Sequence, residues 1–132
     1  LDADDFHPEA NLKKMSSGIP LDDLDRIPWL ESLREELRSN RGCVLACSAL
    51  KQNYRSMLED ADRNTRFIML DISKETARRR LLSRANHFMP ETLIDSQFDS
   101  LERPTDALVI DAEAPVDSVL DVILRKISGE VF

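Results

Sequence analysis

The sequence predicts an α/β domain built on a parallel sheet covered on both faces. Three short runs, residues 43–47, 67–70 and 107–110, are apolar at every position rather than at alternate ones, which is the pattern of fully buried strands. Segments with helical apolar spacing separate these runs, as βα alternation requires. In such sheets ligands gather at the carboxyl ends of the strands, here residues 48–55, 71–73 and Asp111.

The elements follow in order. Residues 9–17 suit a short helix closed by Gly18, with Pro20 as a stop. Asp22 or Asp25 caps the next helix, in which Trp29 or Leu30, Leu33 and Leu37 recur on one face until Gly42. After the first strand Ser48 caps a helix running to about Asp60, with Leu50, Tyr54, Met57 and Leu58 inward. The second strand leads to Ser73 and a strongly basic helix to about Arg84, and Pro90 opens another carrying Leu93, Ile94, Gln97, Phe98 and Leu101. After the third strand Pro115 starts a final helix with Val116, Val119, Leu120, Ile123 and Ile127 on one face.

Composition bounds what this domain does. At 132 residues, 42% apolar and 33% charged, residues 1–132 form one ordinary domain. Acidic residues outnumber basic ones 25 to 18, a net charge of −7, so a general attraction to nucleic acid or anionic lipid is not expected and any phosphate site is local. The longest apolar run is too short for a membrane span and the amino end has no signal pattern, so the expected location is cytoplasmic. Cys43 and Cys47 stand about 13 Å apart if extended at roughly 3.3 Å per residue, too far for a bridge. With three glycines, no window matches G-x-x-x-x-G-K-[ST] or G-x-G-x-x-G.

Three clusters can carry chemistry. Asp2, Asp4 and Asp5 precede His7; in extended chain Asp2 and Asp4 point the same way, about 7 Å apart at roughly 3.3 Å per residue, so one can hold a hydrated cation while the other faces a hydroxyl. Phosphoryl transfer to an alcohol needs that arrangement; a solvated acidic segment with Asp5 as a helix cap is the plainer alternative. Lys51 and Arg55 share a helical face beside first-turn N–H groups, fit to hold a carboxylate or phosphate, or else form an exposed face paired with Glu59. Arg80 and Arg84 share another face ahead of His87, Phe88 and Met89, suited to a transferring phosphoryl group or to a solvated basic surface.

Taken together these segments resemble the gluconokinases, small P-loop kinases related in fold to shikimate and adenylate kinases. The resemblance is carried by Asp2-Ala3-Asp4-Asp5-Phe6-His7-Pro8-Glu9-Ala10-Asn11, Lys14-Met15, Gly18-Ile19-Pro20-Leu21, Asp25-Arg26-Ile27-Pro28-Trp29-Leu30, Ala46-Cys47-Ser48-Ala49-Leu50-Lys51 with Tyr54-Arg55, and His87-Phe88-Met89-Pro90 with Ser96-Gln97-Phe98 and Leu101-Glu102. It implies phosphorylation of the 6-hydroxyl of D-gluconate by ATP with Mg2+, and it suits a homodimer. By resemblance Asp4 and Arg84 are catalytic, Asp4 orienting the hydroxyl, and Asp2 holds the magnesium ion through water. His7, Arg26, Lys51, Arg55 and Gln97 join Asp4 around the sugar acid, while Arg80, Arg84 and His87 belong to a lid over residues 80–95 that closes on the phosphates.

Two departures matter. The family lid reads Arg-x-Gly-His-Phe-Met-Pro where this chain has Arg84-Ala85-Asn86-His87, and Asn tolerates a left-handed backbone best among non-glycine residues. The family also begins with a strand, a glycine-rich P-loop and a helix. The implied fold is therefore a three-layer P-loop kinase-like parallel sheet flanked by helices, missing the first strand, P-loop and first helix, in a chain expected to start inside a larger unit. Because that strand lies mid-sheet in related kinases, the isolated residues are expected to be poorly stable or to associate. A second reading, a non-catalytic form that binds a sugar acid or a partner through an open sheet edge, follows from the same departure.

Overall fold

In the computed structural model, which describes residues 1–84 and 90–129, the chain opens with a 3-10 turn, Ala3–Phe6, whose first N–H groups are met by Asp2: its carboxylate accepts from the Asp4 N–H at 3.0 Å. Helix α1, Glu9–Ser16, ends at Gly18, where φ is +76° and the Ile19 and Gly18 N–H groups reach back to the carbonyls of Lys14 and Met15. That is a Schellman close, and only a residue without a Cβ takes the conformation at no steric cost. Helix α2, Asp23–Ser39, starts from a reciprocal cap: Asp22 accepts from the Asp25 N–H at 2.7 Å and Asp25 from the Asp22 N–H at 3.0 Å.

Helix α3, Gln52–Glu59, begins three residues later than a Ser48 cap predicts. Ala49 takes a left-handed φ of +37°, and the Glu102 N–H donates to the Leu50 carbonyl at 2.7 Å, so the chain stays out of helix until Gln52. Strands β1, Ile68–Asp71, and β2, Leu108–Asp111, pair in parallel with Ile68 opposite Leu108, and α4, Lys74–Leu82, and α5, Leu93–Ser100, make the crossover. Ser73 caps α4 as its position predicts, accepting from the Thr76 N–H. Helix α6, Val116–Gly129, lays Val119, Val122 and Ile123 against Ile68, Leu108 and Ile110.

The first of the three predicted strands, residues 43–47, is not realised as one among the described residues. Residues 43–47 run extended beside the amino end, with a single parallel bridge between Ala46 and Asp2. Leu45 and Cys47 pack inward while Val44 is 82% exposed, so this run is covered on one side rather than two. Leu70, Val109 and the α6 residues Val116, Leu120, Leu124 and Ile127 are exposed as well. Among the described residues the apolar interior falls into three clusters. The largest joins Ala3, Trp29, Leu30, Leu33, Leu50, Tyr54 and Leu58; a second joins Met15, Leu21 and Leu93; the third lies under α6 around Ile110, Ala112 and Val119.

Candidate active site

A cleft of about 700 Å³ opens between the amino-terminal turn, α2, and the α4–α5 pair. Its lining includes Asp2, Asp4 and His7 from the wall built by the amino-terminal segment, Arg26 and Trp29 of α2, and Arg80, Arg84, Gln97 and Phe98 from α4, α5 and the residues after α4. Seven residues expected from sequence are thus brought together: Asp2, Asp4, His7, Arg26, Arg80, Arg84 and Gln97. His87 lies outside the described residues, as does part of the expected lid.

The wall is held rigidly. Trp29 donates its indole N–H to the Ala3 carbonyl at 2.7 Å, anchoring the 3-10 turn to α2, and His7 stacks on Trp29 with centroids 4.4 Å apart. The His7 side chain is 4% exposed and its Nε2 lies 3.8 Å from Asp4 Oδ1. Burial, aided by the positive charge of Arg26, pushes the His7 pKa down to about 4, so the ring is neutral at physiological pH. Arg26, 6% exposed, donates from Nη1 to the Tyr54 hydroxyl at 3.0 Å and sits over the Tyr54 ring. Tyr54 in turn donates its proton to Asp23. That hydrogen bond first, and the one from Lys51 second, hold the Asp23 carboxyl below the usual range. Arg80 donates from Nη2 to the carbonyls of Glu113 and Ala114, fixing the α4 wall to the start of α6.

Lys51 and Arg55 are not among the residues lining the cleft, and neither pairs with Glu59. Lys51 donates to Asp23 at 3.0 Å, one step behind Arg26. Arg55 is 4% exposed and aims inward: Nη1 donates to the Ala49 carbonyl and Nη2 to the Glu102 carbonyl, both at 2.7 Å, with Nη2 also 3.3 Å from Gln52 Oε1. Its guanidinium is spent on the chain itself, holding the left-handed turn at Ala49 against the loop after α5. Sequence reasoning missed Asn11 and Asp23, which brace His7 and Arg26. The i, i+4 spacing of His7 and Asn11 at the start of α1 is the signal that could have found the first.

Whether these residues suit a magnesium ion depends on the donor set. Asp2 and Asp4 offer hard carboxylate oxygens on the cleft wall, while no group of three or more His, Cys, Asp or Glu among the described residues forms a cage. That fits Mg2+, which keeps several waters and takes one or two carboxylates alongside substrate phosphates. No helix among the described residues is long and apolar enough to cross a membrane.

A parallel α/β core with carboxylates and arginines lining one cleft is the build of a sugar kinase. The unliganded crystal structure of a sugar kinase from Janibacter sp. HTCC2649 superposes with a TM-score of 0.88 at 35% identity, covering 97% of this chain and 78% of that one. The crystal structure of a gluconokinase from Sinorhizobium meliloti 1021 gives a TM-score of 0.84 at 36% identity over 95% and 74%. In sequence the chain is 44% identical to a probable gluconokinase of Xenopus tropicalis across 98% of its own length and 78% of the relative's. No protein-family model matches. The chain belongs to the gluconokinase family.

Proposed function

We propose that the protein transfers the terminal phosphoryl group of ATP to the 6-hydroxyl of D-gluconate in the cytoplasm. The observation that carries this reading, beside family membership, is that Asp4, His7, Arg80, Arg84 and Gln97 line one cleft. Phosphoryl transfer passes through a loose transition state, so catalysis is chiefly positioning and charge stabilisation. Asp4 receives the proton of the attacking hydroxyl and fixes its direction. Arg26, its guanidinium aimed by Tyr54 and Asp23, attracts the sugar-acid carboxylate, while Gln97 hydrogen-bonds the polyol chain. Arg80 and Arg84 stabilise charge on the transferring group. When bound, Mg2+ neutralises phosphate oxygens, and Asp2 would hold it through water.

The test is gluconate-dependent ADP release by residues 1–132 joined to an amino-terminal strand, glycine-rich P-loop and helix of the family, whose phosphate-binding motif these residues do not contain. Asp4→Ala is expected to lower kcat by about 100-fold or more, the usual scale for removing a general base, with a smaller change in gluconate affinity. Equal activity in Asp4→Ala and the parent would refute the role of Asp4. A preference for another hydroxy acid would refute the substrate.

A further inference from the structure

The stacking of His7 on Trp29, with ring planes 12° from parallel, fixes the plane of the imidazole but leaves its two nitrogens to be distinguished by their neighbours. Nδ1 lies 3.3 Å from Asn11 Nδ2. Asn11 is 3% exposed, and the same amide nitrogen donates to the Asp25 carbonyl at 2.9 Å. A carbonyl oxygen only accepts, so the Asn11 atom facing it must be the nitrogen; turning the amide over would set two acceptors against each other. The second N–H of that nitrogen then meets Nδ1, which has to be a bare acceptor. A neutral imidazole with a bare Nδ1 carries its proton on Nε2.

Nε2 is the atom that faces Asp4. Their separation of 3.8 Å is too long for a direct hydrogen bond, yet it lets one oxygen lie about 2.8 Å from both. We propose that Asn11 is a positioning residue that locks His7 as its Nε2–H tautomer, making His7 the donor to the alcohol oxygen whose own hydrogen faces Asp4. The proposal deepens the reading of Asp4 as the group that receives the acceptor hydroxyl, and rests on it. An oxygen held this way has its hydrogen committed to Asp4 and one lone pair to His7, so its remaining lone pair points in a single direction. An ether lacks the hydrogen and an ammonium lacks the lone pair, so the pair selects alcohols. The capped start of α2 supplies the fixed point, because the Asp25 carbonyl orients Asn11 and Asn11 orients His7. Burial and the nearby Arg26 both oppose a second ring proton, which keeps the donor neutral.

The chain has two histidines, His7 and His87, so long-range proton–nitrogen correlation on the nitrogen-labelled full chain, assigned with His87→Gln, reads the tautomer directly. A bare Nδ1 and a protonated Nε2 at neutral pH are expected for His7. In Asn11→Asp the new carboxylate can only accept, and the proton should move to Nδ1 or the ring become doubly protonated. A wild-type ring with its proton on Nδ1, a mixture of tautomers, or an Asn11→Asp ring still singly protonated on Nε2 overturns the lock. The wild-type spectrum decides even if the variant fails to fold. Gluconate is then added: a shifted Nε2 signal supports the donor role, and an unmoved one at calorimetric saturation overturns it. Absence of gluconate binding with the Nε2–H tautomer intact strikes the proposed substrate and leaves the Asn11–His7 lock standing.

Discussion

Replacing Arg55 separates two uses of a buried cation. In the structure its guanidinium donates to the Ala49 and Glu102 carbonyls at 2.7 Å, and no carboxylate among the described residues stands within ion-pair distance of it. Hydrogen bonds from a charged donor contribute about 1.5–3 kcal/mol each, so the two are worth about 3–6 kcal/mol before costs. Burying an arginine without a carboxylate partner costs several kcal/mol, and its Nε finds no partner among the described residues, so the gain is partly offset. Arg55→Ala should therefore destabilise by about 2–4 kcal/mol, with Arg55→Lys, which keeps the charge on a single donor nitrogen, falling between it and the parent. Urea unfolding with midpoints compared at constant slope measures the difference. If Arg55→Ala unfolds at the same midpoint as the parent while losing gluconate affinity, the guanidinium serves the ligand and the structural reading is wrong.

Other expectations follow from particular contacts. Ala49→Gly should stabilise by about 1 kcal/mol, because glycine relieves the left-handed φ; a loss of stability in the same urea experiment would contradict it. Stability should fall as pH drops from about 6.5 towards about 4, since in that window the unfolded chain takes up a proton that His7 refuses. Below that window Asp23, held acidic by Tyr54 and Lys51, gives up its contribution as it protonates. His7→Gln should flatten the upper part of the curve and Asp23→Asn the lower, measured by thermal melts across pH. Burial pushes the Cys47 thiol up to about 11, so iodoacetamide at pH 8 should label it at least a hundredfold more slowly than free cysteine, read by mass spectrometry.

Continuous apolar runs made β1 and β2 legible to within a residue, and Asp22 and Ser73 marked their helices because a short acceptor side chain ahead of a helix has one evident use. Residues 43–47 carry the same signal, yet only Leu45 and Cys47 of that run pack into the largest cluster, since a sequence records apolarity and not which neighbours arrive. Ser48 failed as a cap for a tertiary reason: the Glu102 N–H claims the Leu50 carbonyl some fifty positions away. The family resemblance named Asp2, Asp4, His7, Arg26, Arg80, Arg84 and Gln97, and the fold brings these seven to one cleft. Lys51 and Arg55 do not line the cleft, and sequence could not show this, because a cation near a helix start reads alike whether it meets a ligand, an aspartate or a backbone carbonyl. Asn11 escaped notice since its value lies in a neighbour's proton.

Dividing the interior among three clusters makes damage local. A cavity cut at Met15 or Leu93 loosens the join between α1 and α5 while the ring around Trp29 keeps its packing, and one cut at Ile110 frees α6 first. Heating should dismantle such a molecule in stages, the helix over the two-stranded sheet departing before the turn that presents Asp4, so the ligand wall outlasts the rest of its frame.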